Sequence, residues 1–136
     1  MNDDKIDGTN FFTRTELACK HCGAMKFHPG FIDRLHLLRA TFNEGMMPTN
    51  CCRCAEHNAA VGGHPHSMHV CDTPYWAIAG QQGTLALDVV APDGPYRARL
   101  FCTMWSLGWS IGWGNGFLHG DMRILLPGFN QTQFKY

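Results

Sequence analysis

The sequence predicts a single-domain α+β fold, with a small, mostly antiparallel sheet and flanking helices. The chain has 136 residues, a length that fits one domain. Apolar residue types make up 45% of it and charged types 16%, a balance typical of a packed core. Segments with helical and strand patterns do not alternate regularly along the chain, which favours an antiparallel sheet over a parallel one.

Two segments carry apolar residues at helical spacing and are predicted to be helices. The first spans residues 29–44, where Pro29 suits the opening turn and Gly45 suits the end. Its apolar positions are Phe31, Leu35, Leu38 and Phe42. The second helix spans residues 96–107, after a Pro-Asp-Gly-Pro turn, and its apolar positions are Leu100, Met104 and Leu107.

The other segments predict strands and loops. Residues 46–52 fit a short strand, and residues 84–91 have the apolar, β-branched content of a buried strand. Residues 58–69 are rich in Gly, Pro and His and predict a loop. A Trp- and Gly-rich hairpin is expected at 108–116, and a last strand at 117–125 precedes a polar tail.

Charge and hydropathy exclude two classes of partner. Eleven basic residues balance eleven acidic ones, so the formal net charge is zero. A protein that grips nucleic acid through its phosphates needs an excess of positive charge. No apolar run approaches the roughly 20 residues that a membrane span requires. Residues 1–10 are polar and acidic, which predicts a loose N-terminal tail and no secretory signal peptide.

The chain is rich in residues that bind metals, with eight histidines and seven cysteines. Without a signal peptide, the expected compartment is a reducing one, where cysteines stay free or bind metal. An odd number of cysteines also excludes complete pairing into disulfides within the chain. Metal binding is therefore the first chemistry to consider.

Asp88 and His119 each lie in a segment that is otherwise predicted to be buried. A buried carboxylate without a partner is costly. Coordination of zinc would satisfy both residues, since neutral imidazole and ionised carboxylate are good zinc ligands. An ordinary buried hydrogen bond between them would do so too, and these two residues alone favour that interpretation.

Three further motifs favour zinc binding over an ordinary hydrogen bond. They are S-M-H at 67–69, G-T-L-A-L-D at 83–88 and F-L-H-G-D-M-R at 117–123. In this order they resemble the metal-binding signature of the D-alanyl-D-alanine carboxypeptidase-like zinc metallopeptidases, whose fold is shared with the hedgehog signalling domain. The upstream segment T-N-C-C-R-C-A-E-H-N at 49–58, with V-G-G at 61–63, is similar to another stretch of that family. The opening C-K-H-C-G at 19–23 resembles that of phage-borne members, so the resemblance covers most of the chain.

The resemblance implies a zinc ion held by His69, Asp88 and His119, with water in the fourth position. Three protein ligands and one open position are the catalytic arrangement of zinc. Zinc would lower the pKa of that water and polarise the carbonyl that is attacked. Arg53 matches the family arginine that supports the carbonyl oxygen or the developing oxyanion. Without the flanking motif, Arg53 would be interpreted as a surface or salt-bridging arginine.

The resemblance also implies a substrate and a place of action. The expected reaction is zinc-dependent hydrolysis of an amide bond in the stem peptides of peptidoglycan. Both a DD-carboxypeptidase and an endolysin-type endopeptidase fit this description. A phage-encoded protein of this kind would be made in the host cytoplasm, and would act on the cell wall after release or as part of a virion.

Two departures from the family pattern qualify these expectations. Eighteen residues, 70–87, separate His69 from Asp88, where the family has a short turn. This spacing predicts an insertion around residues 70–82 within a domain at residues 11–136. The insertion could form one wall of the substrate cleft, since inserted loops near a site often set specificity, or it could be a surface loop.

The second departure concerns the general base. Relatives commonly have Glu or Asp three residues before the last ligand, and this position is Gly116. Asp121 is the nearest substitute, because alternate strand residues share a face, and it could be the base or could orient a ligand. His64 and His66 could also transfer protons or be plain loop residues. The alternative function is therefore a catalytically silent, zinc-bound module of a virion or one that binds a cell-wall peptide.

The cysteines predict a separate feature. Cys19 and Cys22 have the spacing of half a structural zinc knuckle, and Cys51, Cys52 or Cys54 could complete it. Cys19, Cys22 and Cys54 are our candidates for a second metal site or a disulfide. Buried thiols are the other interpretation. A cysteine-metal structural domain of unrelated function is a third hypothesis for the whole chain.

Overall fold

A computed structural model describes residues 11–72 and 83–136. The helices are α1 (Arg14–Leu17), α2 (Phe31–Phe42), α3 (Ala55–Ala60) and α4 (Pro95–Ser106). The strands are β1 (Pro48–Asn50), β2 (Ala86–Val90), β3 (Ser110–Trp113), β4 (Phe117–Asp121) and β5 (Gln133–Lys135). The predicted loose tail at residues 1–10, and all but the first three residues of the insertion predicted around 70–82, lie outside the described residues.

The described strands form one sheet in the order β1-β2-β4-β3-β5. Every pairing is antiparallel except that of β3 with β5, which is parallel. The predicted single-domain α+β fold with a mostly antiparallel sheet is thus confirmed. In the central β2–β4 pair, Asp88 stands directly opposite His119. Opposite residues of such a pair project from the same face of the sheet, so the two side chains meet at its centre.

One face of the sheet packs against the hydrophobic core, and the other carries the candidate site residues. Leu87, Val89 and Leu118 point into the hydrophobic core, together with α2 and α4. Gly120 lies on the same face, because a Cβ there would meet the side chains of Met104 and Trp109. Side chains alternate between the faces of a strand, so Asp88, His119 and Asp121 belong to the opposite face. The core therefore supports the residues that carry the predicted chemistry.

The helices follow their predicted apolar faces, with shifted ends. Phe31, Leu35, Leu38 and Phe42 of α2 are all buried. The helix ends at Phe42 because Asn43 adopts a left-handed conformation (φ 56°, ψ 30°), not at Gly45 as the sequence predicts. Asparagine tolerates this conformation better than other residues with a side chain. Helix α4 begins at Pro95, whose missing N–H suits the first helical position.

The last third of the chain departs most from prediction. The strand expected at 117–125 ends at Asp121, and a 3-10 turn follows at Arg123–Leu125. The expected polar tail instead contributes β5 beside β3. Residues 58–60, predicted as loop, belong to α3. The alternation of Phe134 and Tyr136 in the tail is a strand pattern, but it is too short to be distinctive in the sequence.

Gly83 begins the described segment that leads into β2. Its φ of +128° is accessible to glycine, and a Cβ there would clash with the backbone of Phe27 and His28. From this point Thr84 exchanges backbone hydrogen bonds with the 26–28 segment, and Leu85 donates its N–H to the carbonyl of Met68. The glycine therefore permits the approach that places the start of β2 beside the His69 loop.

Candidate active site

The three metal ligands implied by the sequence converge in the structure. His69 Nε2 lies 3.2 Å from Asp88 Oδ1, and His119 Nδ1 lies 3.1 Å from the same oxygen. All three ligand atoms lie within 4.8 Å of one another, and all three residues are buried. One face of the sheet and one loop thus supply two nitrogens and an oxygen to a common point.

Backbone contacts fix His69 from both sides. Its carbonyl accepts hydrogen bonds from the Arg53 N–H at 3.1 Å and from the Thr84 hydroxyl at 2.6 Å. Its ring Nδ1 lies 2.8 Å from the carbonyl of Cys51, an atom that can only accept. The Nδ1–H therefore donates there, which leaves the lone pair of Nε2 facing Asp88.

Asp88 and His119 are held by their neighbours on the sheet. The side-chain amide of Asn50, opposite Asp88 on β1, lies 3.4 Å from Asp88 Oδ2. This contact leaves Oδ1 for the shared point. Burial raises the pKa of Asp88, but His69 and His119 outweigh burial and hold it below its usual range, so the carboxyl is ionised.

Asp121 lies at the other nitrogen of His119. Its Oδ2 accepts from His119 Nε2–H at 2.7 Å and from Arg123 Nη2 at 2.7 Å. Its Oδ1 accepts from Arg123 Nε at 2.8 Å and from the Arg123 backbone N–H at 3.1 Å. Although burial raises the pKa of Asp121, Arg123 and His119 lower it to about 2. The carboxylate is fully buried and engaged on both oxygens.

The donor set fits zinc. Each imidazole has one nitrogen beside an acceptor for its N–H, so the neutral form of each ring presents a lone pair on its second nitrogen beside the ionised Asp88. Three electron pairs that face each other repel unless a proton or a cation lies between them. Burial lowers the pKa of His69 and favours its neutral form, which is the form that binds metal. Two imidazoles and a carboxylate are preferred ligands of zinc.

A cleft of about 680 Å³ opens over these residues and is also lined by Arg53. Arg53 is nearly fully buried and donates from Nη1 to Asn58 Oδ1 at 2.8 Å. Asn58 in turn donates to the carbonyl of His64 at 2.9 Å. A Cβ on Gly63 would overlap the Asn58 side chain and lie 2.8 Å from Arg53 Nη1. The 53–64 segment thus holds a guanidinium at the cleft.

Comparison with known proteins identifies the family. A family model described as Peptidase M15 matches residues 10–108, more than half of the chain. The chain belongs to the peptidase M15 family. This family consists of zinc-dependent metallopeptidases. No curated protein and no solved structure matches the chain.

The M15 match contains His69, Asp88 and Arg53 but ends before His119. The third ligand of the site thus rests on the structure, which pairs His119 with Asp88 across the β2–β4 ladder. Among the described residues, no helix is long and apolar enough to span a membrane.

Tyr136 is a site residue of this M15 peptidase that the sequence did not single out. Its hydroxyl lies 3.5 Å from His119 Nδ1, the nitrogen that faces Asp88. Burial and the charge of Asp88 raise the pKa of Tyr136 to about 12, so the hydroxyl keeps its proton. Phe134 packs beside it, with its ring 5.5 Å from that of His119. Strand β5 brings both residues to the cleft, so their sequence signal is only a two-residue alternation.

Of the positions considered for proton transfer, His64 and His66 line the cleft, whereas position 116 is a glycine. Gly116, at the usual position of the family base, lies in a turn with φ +79°. His64 and His66 line the cleft, with ring centroids 5.2 Å apart, and the His66 N–H donates to His64 Nδ1 at 3.0 Å. Within the described part of the chain, Asp88 is the one carboxylate that lines the cleft.

The cysteine candidates form a second group away from the cleft. The sulfur atoms of Cys19, Cys22 and Cys54 lie within 4.8 Å of one another. Of the three residues proposed to complete the knuckle, Cys54 joins it, whereas Cys51 belongs to the main hydrophobic core. Cys52 is buried beside Cys71, whose thiol hydrogen-bonds to it.

Proposed function

We propose that this M15 peptidase is a zinc-dependent hydrolase of an amide bond in the stem peptides of peptidoglycan. The observation that carries the proposal is the convergence of His69, Asp88 and His119 beneath a cleft that also contains Arg53. We further propose that the protein is phage-encoded, and that it acts on the cell wall after release or within a virion. The motif resemblance supports this second part.

His69 Nε2, Asp88 Oδ1 and His119 Nδ1 would hold the zinc ion. When bound, zinc supplies Lewis acidity, which lowers the pKa of a water molecule and polarises a carbonyl group. The chain contributes a rigid ligand set. The Cys51 carbonyl orients His69, Asn50 orients Asp88, and Asp121 orients His119. Such partners fix the ring orientation and raise the basicity of the ligand.

Arg53 and Tyr136 are two donors that could stabilise negative charge developing on the substrate oxygen. Arg53 is held by Asn58 and borders the cleft, and its Nε has no hydrogen-bond partner among the described residues. The Tyr136 hydroxyl lies next to the ligand nitrogen of His119. Fixed donors aimed at a developing oxyanion are among the largest contributions to catalysis.

Asp121 serves as a positioning residue in this mechanism. Both of its oxygens are already occupied, so it has no lone pair directed at the cleft. We assign proton transfer to the exposed pair of His64 and His66, which line the cleft and carry imidazole groups that can take up and release a proton. A base near the cleft would take a proton from the attacking water and deliver one to the leaving amine.

A second candidate function is a catalytically silent, zinc-bound module that binds a wall peptide. The absence of a carboxylate other than Asp88 from the described cleft lining favours it, as does glycine at position 116. The two functions share the metal ligands and differ in turnover alone. Turnover and metal content must therefore be measured on the same samples.

The test uses wild type, His119→Ala and the control Cys102→Ser, whose cysteine is exposed on α4. Each sample is assayed for zinc by elemental analysis and for digestion of purified muropeptides by mass spectrometry. We expect His119→Ala to lose one zinc per chain and all cleavage, and Cys102→Ser to lose neither. Release of a terminal alanine would identify a carboxypeptidase, and division of the stem would identify an endopeptidase. Wild type that holds zinc at His119 but cleaves no muropeptide would establish the silent module.

A further inference from the structure

A tight turn holds two thiols at the start of the described chain. The Gly23 N–H donates to the Cys19 carbonyl at 2.8 Å, and the Cys19 N–H donates to the Ala24 carbonyl at 2.8 Å. Gly23 takes φ +77°, which closes the turn without a side-chain clash. Cys19 and Cys22 are therefore presented together, and Cys54 approaches them from the start of α3.

Backbone N–H groups point at these sulfur atoms. The Cys54 N–H lies 3.4 Å from Cys19 Sγ, and the His57 N–H lies 3.3 Å from Cys54 Sγ. Sulfur atoms that bind a metal commonly accept backbone hydrogen bonds of this kind.

A fourth donor lies beside one of the three sulfurs, that of Cys54. His21 Nδ1 lies 3.5 Å from Cys54 Sγ, and His21 Nε2 lies 3.6 Å from a carboxylate oxygen of Glu56. The ring of His57 stacks on that of His21, with centroids 6.2 Å apart and planes at 13°. In the tautomer with its proton on Nε2, beside this carboxylate, His21 presents the lone pair of Nδ1 to Cys54 Sγ. Metal-binding histidines are commonly oriented in this way.

We propose that Cys19, Cys22, Cys54 and His21 form a second, structural zinc site. Three thiolates and one imidazole are a closed tetrahedral ligand set of the structural type. A disulfide would use two of the sulfurs and leave the third without a comparable role. The proposal does not depend on peptidase activity, because no residue of this site lies in the cleft.

The position of the site explains what it would stabilise. Cys54 directly follows Arg53 and caps α3, the helix that carries Asn58. Beside the contacts at the sulfurs, the Cys52 N–H donates to the Leu17 carbonyl at 3.0 Å, which links the same parts of the chain. Zinc at the cysteine site would tie the 19–23 turn to the segment that places Arg53 at the cleft. Its loss should therefore lower stability and displace Arg53 without removing the zinc at His119.

The first test needs no cysteine variant. Wild type is alkylated under native conditions before and after treatment with a chelator, and the modified cysteines are identified by mass spectrometry. We expect Cys22, exposed in the structure, to be protected with zinc and to react after chelation, while the exposed Cys102 reacts in both samples. Equal reactivity of Cys22 in both samples, or a disulfide between any two of the three cysteines, would overturn the proposal.

The second test isolates the cysteine site by removing two candidate ligands of the metal site in the cleft. A His69→Ala/His119→Ala variant is loaded with cobalt(II) and compared with the same variant carrying Cys22→Ser or, as control, Cys102→Ser. We expect one metal per chain and a thiolate-to-cobalt charge-transfer band, both lost with Cys22 and kept with Cys102. A spectrum without that band in the first and third samples would contradict the site. Failure of the peptidase assignment would instead show in muropeptide digestion, with these signals intact.

Discussion

Asp121 Oδ2 accepts a 2.7 Å hydrogen bond from Nε2 of His119, while the other nitrogen of the same ring faces Asp88. Arg123 donates the remaining three hydrogen bonds that Asp121 receives. The His119 ring is thus held between the buried Asp121 carboxylate on one side and the candidate metal site on the other. In the proposed mechanism, Asp121 would therefore act through His119 and would not contact the substrate.

Asp121→Asn should weaken zinc binding at the His119 site by about 10- to 100-fold, the usual cost of losing such a partner. The asparagine amide has one acceptor oxygen, so it cannot accept all the hydrogen bonds that the carboxylate accepts from His119 and Arg123. Competition with a chromophoric chelator, in a Cys22→Ser background, measures this affinity. Asp93→Asn is the matched control, because the Asp93 side chain is fully exposed. Unchanged zinc affinity together with lost cleavage would show that Asp121 acts as the base.

Arg53→Lys should keep zinc and lower kcat by about 100-fold, the lower range for loss of one oxyanion donor. Lysine retains the charge but lacks the planar fork that Asn58 holds in place. Steady-state cleavage of a purified muropeptide gives kcat and KM. Arg34→Lys, at an exposed position of α2, should leave both unchanged. Full activity in Arg53→Lys would remove Arg53 from the mechanism.

Gly63→Ala should reduce cleavage at least tenfold while zinc content stays constant. The added methyl group overlaps Asn58 and crowds Arg53 Nη1, so the guanidinium must move. Zinc analysis and kcat/KM on the same sample separate this effect from damage to the ligands. Gly45→Ala is the control, since a Cβ at Gly45 meets no atom within 4 Å. Wild-type kcat/KM in Gly63→Ala would mean that the position of Arg53 tolerates this shift.

Tyr136→Phe should lower kcat by about tenfold, which corresponds to about 1.4 kcal/mol of transition-state stabilisation. The substitution removes only the hydroxyl beside His119 and leaves the packing of the ring. The control is Tyr96→Phe, whose hydroxyl donates to the Gly45 carbonyl away from the cleft. An increase of KM alone would assign Tyr136 to substrate binding.

Zinc at the His119 site should be released by acid. Protonation of His69 or His119 removes a ligand lone pair, so metal affinity falls as the pH falls. Elemental analysis after dialysis, again in the Cys22→Ser background, should show that zinc is lost as the pH is lowered to about 4. This pH is well below the ordinary histidine pKa of about 6.5. Zinc that persists below this pH would exclude these histidines as ligands.

Local patterns were sufficient for much of the fold. The spacing of Phe31, Leu35, Leu38 and Phe42 predicted the buried face of α2, because helical periodicity is a property of neighbouring residues. The apolar run around Asp88 predicted β2 for a similar reason. The motifs at His69, Asp88 and His119 predicted a candidate metal site, and the three side chains converge in the structure. Ordered motifs of this kind record which distant segments must meet.

Tertiary structure decided the features that depend on contacts between distant segments. The proposal that Asp121 positions His119 depends on Arg123, which occupies the carboxylate oxygens after the strand has ended. The role of Tyr136 required the parallel pairing of β5 with β3, which no local pattern encodes.

The choice of Cys54 over Cys51 and Cys52 depended on how the chain from 51 to 54 passes the 19–23 turn. By itself, the sequence determined the residue types of a zinc peptidase and the elements that carry them. Only the tertiary structure decided which donors face each nitrogen and sulfur, because hydrogen-bond geometry depends on register and packing between strands far apart in the chain.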